Sequence, residues 1–455
     1  MFLTEQFAAW IARVQYEDLP PQVVQTAKER IMDTLGASIA GSCNWDYCQQ
    51  LQQACRALGS GGCGVVGGGK KEFPAARAAM IDATYAHAIE LDDGHKNAGC
   101  HAGAVVVPTA LVLGQELGST GREIITAVAV GYEVTYRIAA HVNPTQINLG
   151  FHPSSNCGAY GAMAVAGKLL KLDAEQLANG LGQAGMLASG TMEATRSGQR
   201  SKCVQVGNAA YNGIMAAYLA KSGMEGCRSA LEGKSGLFAT QSRDVDVEDV
   251  CRDLGERYSI GDTYNKMYPS CRHAQPGIEA VLDIAAETDI RAEDVEQIWI
   301  GTHQVAYDLT GIIKAPKNSG EAKFSLAYGS AVALLEGGFS VVHLTEPYYT
   351  DPQILALAEK VTCQVDPAVQ AVYPQKRGAR VKVTLKDGRV LEKELYDLKG
   401  SPNNPVGWPE LANKFRANAQ ALLPAEEIET ILDTLAGLED QPGIGAVMEQ
   451  VNRTG

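Results

Sequence analysis

The sequence predicts a mostly helical protein: a large all-helical domain, with a smaller α+β domain inserted before the C-terminal helices. Three observations point there. Aromatic residues make up only 6% of the chain while Gly and Ala are abundant, which favours closely packed helices over a sandwich or barrel. Apolar residues recur at helical spacing through roughly the first 260 residues. Beyond that point, short alternating runs bounded by turn residues appear.

The elements follow in order. Residues 20–40 open on Pro20-Pro21 and carry Val23, Val24, Ala27, Ile31, Leu35 and Ile39, a helix with proline in its first turn. Residues 75–90, 105–118, 121–141, 157–171, 174–189 and 208–222 continue the helical pattern. Gly59–Gly69 holds seven glycines but no phosphate-binding lysine-serine pair and no dinucleotide fingerprint, so it reads as a loop. Val295–Gly301 reads as a strand with imperfect alternation. Val381–Leu391 reads as a hairpin turning at Asp387-Gly388. Helices are expected at 321–336 and 351–361, and 400–409 reads as a linker. The expected domains are residues 1–265 with 396–455, and residues 266–395.

Apolar content of 45% and charged content of 20% suit a soluble globular protein. A net charge of −13 argues against nucleic-acid and anionic-membrane partners, whereas a small anionic substrate needs only a local cationic pocket. The eleven cysteines include no Cys-x-x-Cys pair and read as reduced thiols. With no signal peptide and no apolar run approaching about eighteen residues, the expected location is cytoplasmic.

Four segments could carry chemistry. Glu90–Gly103 packs three carboxylates and two imidazoles into fourteen residues between apolar stretches. Such charge is costly beside a core unless paired or used; the competing reading is a solvated loop. Gly150–Gly158 places His152 before a proline ahead of a helix that Ser154 or Ser155 could cap; alone, it reads as a capping turn. Ser197–Gly207, with Arg196, Arg200 and Lys202, and Asn265–Gln275, with Lys266, Arg272 and His273, are cationic. Each could be a solvated basic loop, or together they could clamp a di- or tricarboxylate.

The order of these segments resembles the MmgE/PrpD family, which includes 2-methylcitrate dehydratases, cis-aconitate decarboxylases and iminodisuccinate epimerase. The motifs are His87-x-x-Glu90-x-Asp92-Asp93 with His101-Ala-Gly, Gly150-Phe-His-Pro, and Ser201-Lys202 leading into Gly207-Asn-Ala-Ala. They continue with Lys266-x-Tyr-Pro-Ser-Cys-Arg, Phe324-Ser-Leu-Ala-Tyr328 and Lys414-Phe-Arg-Ala-Asn-Ala. The resemblance implies that the α+β domain is a lid, that the protein is a homodimer, and that neither metal nor cofactor is needed. It implies a site of Asp93, His101, His152, Lys202, Lys266 and Tyr328, with Arg272, Cys271, Gln205 and Gln275 toward the substrate. His101 or His152 would serve as base or acid, and Lys202, Lys266 and Arg272 as clamps.

The leading expectation is a cofactor-independent hydro-lyase acting on a citrate-like polycarboxylate. An isomerase or epimerase of a dicarboxylate and a decarboxylase are the alternatives, and a non-catalytic binder of organic acids the competing class. Two departures from the family pattern matter. Cys203–Gly207 replaces a segment that often carries histidine, and Gln275 stands where many relatives have histidine. Gln cannot shuttle a proton near neutral pH, so weak or absent dehydration of 2-methylcitrate is expected.

Overall fold

The computed structural model describes residues 1–197, 199–243 and 245–453, and the chain is mostly helical with sheets of only two and four strands. It groups into two compact units. One comprises Met1–Ala88, Asp92–Asn265 and Gly407–Gly455; the other comprises Ile89–Leu91 and Lys266–Val406. Residues 396–406, expected with the helices, group with the second unit. The Lys399 N–H donates to Glu279 and Arg272 donates to Ser401, which ties this stretch to that unit.

The first unit contains α1 (Leu3–Arg13), α2 (Pro21–Asn44), α3 (Cys48–Arg56), α4 (Ala75–Ala88), α5 (Gly103–Leu117) and α6 (Gly121–Val142). It continues with α7 (Gly158–Leu169), α8 (Ala174–Leu187) and α9 (Val204–Lys221). Start signals are local: Thr120 accepts from the Glu123 N–H while Glu123 reaches back to the Thr120 N–H, so α6 begins at Gly121. Small residues let these helices approach closely. A Cβ on Gly207 of α9 would lie 2.1 Å from Thr84 Oγ1 of α4, so only glycine fits there. The unit is not wholly helical as expected: β1 (Gly94–His95) pairs antiparallel with β2 (Thr263–Tyr264). Two residues per strand carry too little periodicity to be read in advance.

The second unit holds α10 (Gln275–Thr288), β3 (Val295–Thr302), α11 (Leu326–Glu336), α12 (Pro352–Glu359), β4 (Val361–Val365), β5 (Ala379–Leu385) and β6 (Val390–Leu395). The sheet order is β4-β3-β5-β6, with β3 and β4 parallel and the remaining pairs antiparallel. The imperfect alternation of β3 has a physical cause: the register against β5 shifts between Val295 and Gln297. The irregularity lets Val295 and Ile298 both face inward. In β5, Ala379, Val381, Val383 and Leu385 are buried, and α10 packs on this strand and on β6. The hairpin turns where expected, with Gly388 at φ 90°.

The chain returns to the first unit through α13 (Trp408–Ala419) and α14 (Ala425–Ala436), with α13 lying against α2. Lys414 of α13 pairs with buried Asp33 of α2 at 2.6 Å, and Asn265 donates to the other Asp33 oxygen at 2.7 Å. Gly198, in the Ser197–Gly207 segment, lies outside the described residues. No helix among those described is long and apolar enough to cross a membrane.

One buried acid makes stability depend on pH. Asp82 on α4 is 2% exposed and accepts from the Val66 N–H, and burial pushes its carboxyl up to about 8. The folded state therefore keeps a proton that the unfolded chain releases from about pH 4 upward, so this residue's contribution falls as pH rises from about 4 to about 8. Asp82→Asn keeps the acceptor and removes the titration. The variant should gain stability relative to wild type, by up to a few kcal/mol, as pH goes from 5 to 8. Parallel pH trends in the two melting temperatures would show that Asp82 does not titrate there.

Candidate active site

The solvated-loop reading of Glu90–Gly103 fails on burial: Asp92 and Asp93 are both 0% exposed. α4 ends at Ala88, one residue after His87, and the chain then turns sharply, with Glu90 in the left-handed region at φ 57°. The turn brings the Asp92 carboxylate back to the edge of the His87 ring. His87 Nδ1 lies 2.6 Å from Asp92 Oδ2, and His87 Nε2 lies 3.4 Å from Lys202 Nζ. The carboxylate accepts, so Nδ1 carries a proton, and the Nε2 lone pair faces the lysine. Asp92, His87 and Lys202 thus form a chain in which a buried carboxylate orients an imidazole and the imidazole holds an ammonium group.

His101 enters from the other side. Its Nδ1 lies 2.5 Å from the Asp93 carbonyl, which can only accept, so Nδ1 is the protonated nitrogen and Nε2 is the atom that can exchange a proton. Asp92 Oδ2 is 3.4 Å from the same Nδ1, so one carboxylate oxygen faces both imidazoles. The His87 and His101 ring centroids are 5.2 Å apart. His152 joins them, its ring centroid 6.0 Å from that of His87. The backbone fixes it: His152 precedes the short helix Pro153–Asn156, and its carbonyl accepts from the Ser155 and Asn156 N–H groups and from the Asn156 side chain. Ser154 accepts from the His101 N–H at 3.0 Å, coupling the two segments.

Asp93, expected among the catalytic groups, has both side-chain oxygens hydrogen-bonded within its unit. Its Oδ2 accepts from the Tyr132 hydroxyl at 2.6 Å and its Oδ1 from the Gly103 N–H at 3.1 Å. Burial pushes its carboxyl up to about 7, against the downward pull of Arg30 and the Tyr132 hydroxyl. Its side chain is committed to the scaffold, and its carbonyl positions His101. This explains the glycine of His101-Ala-Gly: a Cβ on Gly103 would lie 2.5 Å from Asp93 Oδ1 and 2.5 Å from the Tyr132 hydroxyl oxygen.

In the second unit, Lys266 is 1% exposed and donates to Glu90 Oε2 at 2.7 Å, a buried ion pair. Arg272 donates to Gln275 Oε1 at 2.7 Å and to Ser401 Oγ at 2.6 Å. Gln275 itself is fully buried and donates to the Tyr268 and Ser270 carbonyls. It braces the loop and holds Arg272, so the structure gives it a supporting place and not the expected place toward the substrate. Gln205 of the first unit is alike: its side-chain oxygen accepts from the Thr191 N–H and its carbonyl accepts from Ser155. Cys271 is buried, with its N–H on the Lys323 carbonyl. Tyr328 is the clearest departure. It lies on α11 at 0% exposure, its ring against Phe339 and its hydroxyl donating to the His343 carbonyl at 2.5 Å. That is a core tyrosine with its polar end satisfied.

The structure therefore brings His101, His152 and Lys202 together in the first unit and Lys266 and Arg272 together in the second. It adds His87, Asp92 and Glu90, which the sequence reading quoted in a motif without assigning them to the site. The signal for His87 was its helical placement five residues before Asp92; only the turn at Glu90 makes the two meet. One ligand atom each from His87, Asp92 and His101 lie within 4.8 Å of one another, so a metal ion would be held there if anywhere among the described residues.

A buried carboxylate serving two imidazoles, with an ammonium group alongside, defines an acid–base centre suited to an anionic substrate. Residues 5–249 match the MmgE/PrpD N-terminal domain and residues 268–439 the MmgE/PrpD C-terminal domain. The chain belongs to the MmgE/PrpD family and is an enzyme of that type. Cis-aconitate decarboxylase of Aspergillus terreus is 26% identical over 479 residues, covering 99% of this chain and 96% of that protein. Cis-aconitate decarboxylase of Homo sapiens is 26% identical, with 96% and 92% covered. The 2-methylcitrate dehydratase of Salmonella typhimurium is 26% identical over 61% of each chain.

Gly103→Ala tests the close approach around Asp93. The added methyl group has no space beside Asp93 and Tyr132, and neither neighbour is a flexible chain end. The variant should lose roughly 1–3 kcal/mol of stability and most of its activity. Unchanged melting temperature and turnover would show that the Asp93 network does not set the site.

Proposed function

We propose that this enzyme is a lyase acting beside a carboxylate of a citrate-like tricarboxylate, by proton transfer between a substrate carbon and an imidazole of its own chain. The observation that carries this reading is the pair of imidazoles, His87 and His101, facing one Asp92 oxygen. His101 exposes 19% of its side chain while Asp92 exposes none, so a small substrate can meet the imidazole and not the carboxylate behind it. With Nδ1 on the Asp93 carbonyl, His101 accepts or delivers a proton at Nε2, and Asp92 stabilises the imidazolium form. Lys202, held by His87, supplies positive charge for a substrate carboxylate, and the family resemblance implies the same role for Lys266 and Arg272. His152 is the second titratable group and takes the opposite role.

Within this reading, decarboxylation of a cis-aconitate-like triacid ranks above dehydration. The match to cis-aconitate decarboxylases spans nearly the whole chain, whereas that to the Salmonella dehydratase spans 61% of it. In decarboxylation the electrons of the broken C–C bond stay on carbon as an enediolate-like anion, which the cations stabilise and an imidazolium protonates. In dehydration the base would remove a C–H proton and the acid would protonate a departing hydroxyl. The chemistry asks for no group beyond these side chains. We also take the protein to reside in the cytoplasm, as its scattered cysteines without a Cys-x-x-Cys pair suggest, and to be a homodimer, as the family resemblance implies. The check is a sedimentation mass near twice the 48.3 kDa of the chain.

Purified protein should convert cis-aconitate, or another citrate-like triacid, with deuterium from heavy water appearing beside a carboxylate in the product. No turnover and no exchange across the tricarboxylates would overturn the reading. Turnover of dicarboxylates alone would move it to the epimerase alternative. Lys202→Ala and Lys266→Ala should each lower kcat/KM by roughly 10²-fold or more, the cost of a charge-assisted contact, while the fold survives. Wild-type kinetics in either variant would remove that lysine from the reaction.

A further inference from the structure

The contact between Lys202 and His87 joins two stretches distant in sequence. Both are held by the three residues between α2 and α3, namely Trp45, Asp46 and Tyr47. Lys202 lies in the turn that leads into α9, two residues after Arg200. The Trp45 indole N–H donates to the Arg200 carbonyl at 2.9 Å, and the Cys203 thiol donates to the same oxygen at 3.6 Å. The Arg200 guanidinium donates to Asp46 and, at 3.0 Å, to the Tyr47 hydroxyl. It also stands over the Tyr47 ring, 5.0 Å from the centroid. Three consecutive residues thus grip one arginine by its backbone and its side chain.

The same junction is fastened to α4. The Trp45 ring stands edge-on to Tyr85, with centroids 6.4 Å apart and planes at 65°. The Tyr85 hydroxyl donates to the Cys48 carbonyl at 3.5 Å. The end of α2 can lie this close because position 41 is glycine: a Cβ there would sit 2.1 Å from the Tyr85 carbonyl oxygen. Tyr85 precedes His87 by two residues on α4. Trp45, only 7% exposed, therefore touches the residue two before His87 and the residue two before Lys202. A lysine side chain has much rotamer freedom, so holding its ammonium group against one nitrogen requires a fixed backbone beneath both partners.

We infer that Trp45 is a positioning residue: by bonding its indole N–H to the Arg200 carbonyl, it sets the Lys202 ammonium group against His87. Arg200, Asp46 and Tyr47 close the grip from the outer side. This role rests on the proposed lyase reading, in which Lys202 meets a substrate carboxylate, and adds the group that keeps Lys202 in place. Displacing an orienting charge by about 1 Å is costly in rate even where the fold barely changes.

The test is a double-mutant cycle on the whole enzyme with cis-aconitate as substrate. Trp45→Phe keeps an aromatic ring beside Tyr47 and Tyr85 and removes the N–H. It should lower kcat/KM about 10-fold in the wild-type background. In the Lys202→Ala background it should cost less than about 2-fold, because the group it positions is gone. Arg200→Met changes a side chain that is 36% exposed and so leaves the core packed. It should show the same pattern with a smaller loss, about 3-fold. Equal losses in both backgrounds would show an effect on the fold at large and overturn the inference, as would wild-type kinetics in both variants. Labelling the eight histidines with ¹⁵N gives a readout that needs no turnover. His87 Nε2 accepts from the Lys202 ammonium group, so Trp45→Phe and Arg200→Met should move its resonance toward its position in Lys202→Ala. An unmoved resonance would overturn the inference and leave the lyase reading standing. A moved resonance in a protein that turns over no tricarboxylate would support the positioning role and overturn the lyase reading.

Discussion

Two adjacent carboxylates, Asp92 and Asp93, are buried completely at the turn that follows α4, and the site is built around that constraint. An isolated carboxylate cannot remain ionised in such surroundings. The two acids meet the cost differently. Asp92 faces two imidazoles, His87 at 2.6 Å and His101 at 3.4 Å, so its charge has partners that can themselves be charged. Asp93 takes hydrogen bonds from the Tyr132 hydroxyl and the Gly103 N–H, and burial raises its carboxyl to about 7. One acid is matched by imidazoles and the other by neutral hydrogen-bond donors.

The surrounding ion pairs extend the same logic. Asp33 on α2 is satisfied by Lys414 from near the C-terminus and Asn265 from the end of the first unit's second segment, residues distant in sequence. Glu133 and Arg137 pair in the interior of α6, and the guanidinium also donates to the carbonyls of Val250, Asp253 and Arg257. Buried pairs of this kind are weak sources of net stability but strongly penalise wrong arrangements, because either partner alone would be an unpaired charge in the core. They explain why polar residues are tolerated in helices that are otherwise alanine, glycine and valine.

The glutamines at 205 and 275 take on a clear meaning in this setting. Each is fastened by backbone hydrogen bonds, so the loss of a titratable group there leaves the loop geometry supported. In the first unit His87, His101 and His152 are the imidazoles that the fold brings together. In the second unit, the cationic groups Lys266 and Arg272 are themselves held by Glu90, Gln275 and Ser401. Pre-organised charges of this kind need little rearrangement when an anion arrives.

By itself the sequence determined the helical class, the place of most helices and the hairpin turning at Asp387-Gly388. Those properties follow from periodicity, capping and turn residues, which act over a few positions. It also carried the family, through the order of its motifs. Tertiary structure decided which polar groups meet. The sharp turn at Glu90 directs Asp92 onto His87 and leaves Glu90 to Lys266. Tyr328 sits in a motif and yet spends its hydroxyl on the His343 carbonyl, because its helix turns it into the core. The bulge in β3 and the two-residue strands β1 and β2 were likewise set by partners far along the chain. Hydrogen-bond direction at a carboxylate or an imidazole depends on what stands opposite it, and that neighbour is supplied only by the folded chain.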